Sequence, residues 1–90
     1  MTLVQRFEEW VVDEVGSVAP PALRKHLKDR DYRLYSYVEY DGGCRADVYH
    51  PRRGFFHACG KDDADALLGV LRQIWLVESL GEDSGIAFGE

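Results

Sequence analysis

The sequence predicts an α+β domain: two N-terminal helices, a three-stranded antiparallel meander, and a long C-terminal helix packed on one sheet face (ααβββα). Three observations predict it. Arg33 to Cys59 reads as three short strands, RLYSYVEY, CRADVYH and FFHAC, joined by the turn formers DGG and PRRG. The flanking segments repeat their apolar residues at helical spacing. Ninety residues, 46 % hydrophobic and 30 % charged, suit one small globular domain and not a disordered chain. The domain is expected to span 1–82, with 83–90 a flexible acidic tail in which Ile86 and Phe88 are the only large apolar residues.

Thr2 and Gln5 form a capping box that starts the first helix at Leu3. Its apolar stripe is Leu3, Phe7, Trp10, Val11 and Val15, and Gly16 ends it. The paired prolines Pro20 and Pro21 set the entry to a short second helix, roughly Pro21 to Lys28. Leu23 and Leu27 face inward there, and Arg24, Lys25 and Lys28 face outward. The last helix runs from near Asp62 to about Leu80. Asp62, Asp63 and Asp65 fill its first turn, where the helix dipole favours acids. Apolar residues from Leu67 to Leu80 cover most of its circumference, more than one small sheet buries. Either the first helix or a second chain must cover the surplus, so a homodimer through residues 67–80 is one expectation.

The strands carry the functional argument, because their register decides which side chains face out. A three-residue loop Asp41-Gly42-Gly43 places Tyr40 opposite Cys44, and a four-residue loop Pro51 to Gly54 places His50 opposite Phe55. One face then holds Leu34, Val38, Tyr40, Cys44, Ala46, Val48, Phe55, His57 and Cys59, and serves as the core. The other presents Tyr35, Tyr37, Tyr49, Phe56 and Arg45, with Glu39 and Asp47 among them. A two-residue loop Gly42-Gly43 would flip the first strand.

Net charge is −5 and unevenly spread. Residues 1–16 carry −3, residues 17–33 carry +3, and residues 62–90 carry −6. An acidic balance opposes general nucleic-acid binding, which draws most of its affinity from phosphate contacts. No apolar run approaches the roughly 18 residues of a membrane span. The acidic, amphipathic start MTLVQRFEEW does not read as a signal peptide. The chain is therefore expected in the cytoplasm, with Cys44 and Cys59 as thiols.

No catalytic or cofactor motif emerges, so the chain is expected not to be an enzyme, and neither cofactor nor metal is assigned. Cys44, His50, His57 and Cys59 are zinc-ligand types, but C-x5-H-x6-H-x-C matches no common zinc pattern. Cys44 and His50 lie roughly 20 Å apart along one strand, too far to share an ion. His57 and Cys59 share a face roughly 6.6 Å apart, beyond the reach of a nucleophilic pair. Glu8, Glu9 and Asp13 form an acidic helix face, either solvated or a surface for a basic partner.

The order helix, three strands, helix within residues 22–80 resembles the double-stranded-RNA-binding domain in topology. That family places a lysine cluster at the start of its last helix. Here Lys61 is followed by Asp62, Asp63 and Asp65, the wrong sign for phosphate, so the resemblance implies the fold outline and not RNA binding. In size and charge alone the chain is similar to small acidic inhibitors of phages and mobile elements, such as anti-CRISPR and immunity proteins. The expected function is a non-catalytic regulator or inhibitor that binds another protein. One alternative is a nucleic-acid module stacking bases on Tyr35, Tyr37, Tyr49 and Phe56 beside Arg33, Arg45, Arg52 and Arg53. The other is a small enzyme using Cys59 and His57.

Overall fold

The computed structural model describes residues 2–80, and the expectations for the tail, 83–90, lie outside them. The elements are α1 (Leu3–Trp10), a π-helical stretch (Val11–Val15), α2 (Pro20–Asp29), β1 (Arg33–Tyr40), β2 (Gly43–His50), β3 (Gly54–Gly60) and α3 (Asp63–Leu80). The strands make one antiparallel sheet in the order β1-β2-β3. Helix α3 lies on one face of it against β3 and β2, with α2 packed against α3 and β1. The chain is thus the α+β arrangement the sequence predicts.

The helix ends follow their local chemistry. The Gln5 N–H donates to Thr2 Oγ1 at 3.1 Å, and the Thr2 N–H donates to Gln5 Oε1 at 2.9 Å, which completes the capping box. The N–H of Gly16 (φ +84°) reaches back to the Val11 carbonyl at 2.9 Å and closes the π turn. At α3 the Asp65 N–H donates to Asp62 Oδ1 at 2.9 Å, and the Lys61 N–H donates to Asp65 Oδ2 at 3.1 Å. Asp62 thus caps α3, and Asp65 in its first turn reaches back to the preceding backbone.

The core is built from one stripe of each helix and the inner side of β2: Phe7 and Val11, then Leu23 and Leu27, then Cys44, Ala46 and Val48, against Ala66, Leu67, Val70, Leu71, Ile74 and Trp75. Leu3, assigned to the first stripe by spacing, is instead 52 % exposed, one turn before the buried contact begins. The first helix covers part of the surplus apolar surface of α3. Phe7 meets Trp75 at 5.6 Å between ring centres, and Trp75 is only 6 % exposed. Leu68 and Leu76 pack against the same cluster half-buried. Trp75, part of the apolar area that suggested a dimer, is thus covered within the chain.

The register differs from the predicted one in both hairpins. Tyr40 lies opposite Gly43, so the first turn is Asp41-Gly42, with Gly42 in the left-handed region (φ +87°) that an L side chain resists. His50 lies opposite Gly54, so the second turn is Pro51 to Arg53. Its shorter span has a cause the spacing did not reveal. His50 Nδ1 accepts the backbone N–H groups of Arg52 at 3.1 Å and Arg53 at 3.2 Å, which ties the turn to the end of β2. Each slip is one residue, and alternation makes one residue a change of face. Strand β1 adds a bulge between Leu34 and Ser36, with Tyr35 as the extra residue.

Three of the residues assigned to the outer face are therefore corrected, the first being Glu39, which pairs with buried Cys44 on the inner side. Tyr37 pairs with Ala46 and Phe56 with Val48, both buried inner positions, and both aromatics pack half-buried against the core. Val38, Tyr40, Phe55, His57 and Cys59, assigned to the core, belong to the outer face, and Val38, Tyr40 and Phe55 are at least half exposed. The inner assignments of Cys44, Ala46 and Val48 hold.

Candidate functional site: the outer sheet face

Helices occupy one side of the sheet, so the other side presents its side chains to solvent. Tyr49 on β2 lies opposite Phe55 on β3, and the bulge in β1 swings Tyr35 over the same spot. The rings form one cluster: Tyr49 to Phe55 at 4.9 Å and Tyr35 to Phe55 at 5.3 Å between centres. Phe55 is 66 % exposed and Tyr35 is 59 % exposed. A phenylalanine so exposed, held between two tyrosines, is the largest apolar feature of this face. Val38 and Tyr40 extend it towards the first turn, each about half exposed.

Two charged residues of this face, Arg45 and Asp47, are paired with each other. Arg45 Nε lies 3.1 Å from Asp47 Oδ2 and its Nη2 lies 3.0 Å from Oδ1, a two-toothed grip. The Arg45 guanidinium holds the Asp47 carboxyl below the usual carboxylate range. Beside them, the Tyr40 phenol is raised above its ordinary value, first by its hydrogen bond to the Cys59 thiol and then by burial.

Tyr37 does a different job on the inner side. Its ring carries the Arg24 guanidinium at 5.4 Å, and Arg24 bonds Asp63 at 3.0 Å. The hydrogen bond with Cys44, burial, and the Asp63 carboxylate all push its phenol well above the tyrosine range. Tyr37 thus ties β1 to the start of α3 on the inner side of the sheet.

The zinc-type residues are split between faces. Cys44 and His50 are buried on the inner side, and His57 and Cys59 are exposed on the outer side. A bond between Cys44 and Cys59 would have to pass through the sheet, and both are free thiols. Among the described residues no three His, Cys, Asp or Glu side chains converge to hold a metal ion. His57 and Cys59 do share a face, but no Ser, Asn or Asp bonds the His57 ring among the hydrogen bonds described.

Arg53, a candidate phosphate contact, turns inward instead: its Nη1 meets Tyr32 Oη at 2.7 Å and Glu78 Oε2 at 2.9 Å. Arg30 shares Glu78 at 3.5 Å and reaches Glu14 at 3.6 Å. This network, with the Tyr32 ring 4.5 Å from His50, fastens the second turn to the end of α3. The acidic residues Glu8, Glu9 and Asp13 are exposed and, with Gln5 and Val12, border a shallow concavity on α1. Among the described residues no helix is long and apolar enough to cross a membrane.

Phe55, Val38 and Tyr40 are the surface residues that sequence reasoning missed. Asp-Gly at 41–42, read as a two-residue turn, was the signal that would have found Val38 and Tyr40. Comparison with family models, with curated proteins and with solved structures finds no match to this chain.

Proposed function

We propose that this chain is a non-catalytic protein-binding domain, a small regulator or inhibitor, and that the outer face of its sheet is the contact surface. The observation that carries the reading is the exposed Tyr35–Phe55–Tyr49 cluster beside the neutralised Arg45–Asp47 pair. Aromatic anchors with a self-satisfied polar rim are the composition of protein interfaces, where a few such residues supply most of the binding energy. The comparison with anti-CRISPR and immunity proteins adds only size and charge.

A nucleic-acid platform would use the same rings but needs uncommitted cations. Arg45 and Arg53 are engaged by Asp47 and Glu78, and this weighs against it. The alternative of a Cys59–His57 enzyme draws no support from the hydrogen bonding around those residues.

The test is capture of a binding protein from the native host by the wild-type chain and by Phe55→Ala and Tyr35→Ala variants. Each substitution is expected to weaken capture by ~2 kcal/mol if it is a hot spot, with an unchanged circular dichroism spectrum. Equal capture by all three chains refutes the assignment of this face. Tight, salt-dependent anisotropy changes with oligonucleotides near physiological salt would favour the nucleic-acid reading instead.

A further inference from the structure

The two edges of the sheet are not equally protected. Edge strand β1 carries a bulge at Tyr35 and charged residues at Arg33 and Glu39, devices that discourage pairing with another strand. Edge strand β3 (GFFHACG) has no charged residue, no proline and no bulge against β2. Its backbone groups alternate between β2 and the open side. Gln73 Nε2 on α3 donates to the His57 carbonyl at 2.7 Å. That bond marks Phe55, His57 and Cys59 as the residues whose N–H and C=O point away from β2.

A groove opens beside the C-terminal end of this edge. Its near wall is Ala58 and Cys59, its floor is Leu68, Gly69 and Arg72 of α3, and its far wall is α1 with the link to α2. The far wall carries Val4, Val12 and Val18, which are 55 %, 70 % and 56 % exposed. A fourth strand would lie ~4.8 Å from β3, over that floor. The groove is continuous with the outer face, because Cys59 borders it and belongs to that face.

We propose that β3 and this groove accept an extended peptide segment of a partner protein as a fourth strand, with apolar residues at alternate positions. This rests on the reading of the chain as a protein-binding domain. The outward-facing N–H groups of Phe55, His57 and Cys59, with the carbonyls of Phe55 and Cys59, supply the hydrogen bonds. Alternate side chains enter the valine-lined groove, and the remainder extend the aromatic face beside Phe55. A second copy of β3 suits the groove less well, because it would bring its own α1 wall into the same space. Gln73 holds the place of the missing strand at one carbonyl.

The experiment titrates the isotopically labelled chain with a synthetic heptapeptide of alternating Thr and Val, followed by amide NMR. A peptide methylated on alternate backbone nitrogens is the control. The expected result is slowed amide exchange at Phe55, His57 and Cys59 with the first peptide only. His57→Pro removes one edge N–H at a site where proline is tolerated, and should weaken binding roughly five-fold, the worth of one net hydrogen bond. Val12→Asp, an exposed substitution, should weaken it further without changing the fold. Equal binding of the methylated peptide overturns the proposal, as does no binding at millimolar peptide. Edge amides already protected in the chain alone also overturn it, with light scattering distinguishing a second copy from residues 81–90 as the occupant. If capture of a host protein is lost in Phe55→Ala but unchanged in His57→Pro and Val12→Asp, the edge proposal fails while the reading of the outer face stands.

Discussion

Replacing Gly69 with alanine sets two known effects against each other at a close approach of α3 to β3. In an isolated helix the change gains ~1 kcal/mol, because glycine is the poorer helix former. Here the new Cβ would sit 2.8 Å from the Ala58 Cβ. Ordinary carbon contacts begin nearer ~3.5 Å, and Ala58 has no rotamer through which to withdraw. Helix or strand must therefore retreat by several tenths of an ångström. Overpacking of this kind costs ~1–3 kcal/mol, so the net expectation is a loss of about 1 kcal/mol. That corresponds to a fall of ~4–8 °C in Tm for a chain of this size. Urea unfolding followed by Trp10 and Trp75 fluorescence measures it. Ala58→Gly opens the space and should cost less in the Gly69→Ala background than in the wild type, by ~1 kcal/mol of coupling. A Gly69→Ala variant more stable than the wild type, with no coupling to position 58, would refute the close approach.

The register has an equally direct test: Phe56→Ala should cost ~2–3 kcal/mol of stability, whereas Phe55→Ala on the open face should cost well under 1 kcal/mol. The reverse order in urea melts would restore the predicted register. For His26, burial first and the Arg30 charge second lower its pKa, against smaller opposing effects of Glu78, Glu14 and Asp29. Its ring stands edge-on to Trp10 at 5.4 Å, and its Nε2 is buried without a hydrogen-bond partner. The folded state therefore takes up this proton at lower pH than the unfolded chain does. Stability is full above the unfolded value near 6.5 and falls as pH drops through it towards the lower folded value. The urea midpoint should fall between pH 7.5 and 5.5, and His26→Gln should flatten that fall; an unchanged slope in the variant counts against the assignment.

What the sequence determined by itself was everything carried by local periodicity and capping. The Thr2–Gln5 box, the Leu23–Leu27 stripe, the acids ahead of α3 and three β-rich runs between turn residues were enough for the architecture. Each depends on interactions within a few residues, and composition reports those faithfully. The face of each strand was decided by tertiary structure. Asp41-Gly42-Gly43 supports several turns of similar local energy, and so does Pro51 to Gly54. The structure adds contacts that the spacing does not show: Tyr37 against Cys44, Asp63 and Arg24, His50 Nδ1 against the N–H groups of Arg52 and Arg53, and Arg53 against Tyr32 and Glu78. Because strand side chains alternate, a one-residue choice in each turn exchanged Tyr37 and Phe56 for Val38, Tyr40 and Phe55 on the open face. The covering of α3 was likewise beyond local reading. An all-round apolar helix states that something must cover it, and only the folded chain shows that Phe7 of α1 reaches Trp75.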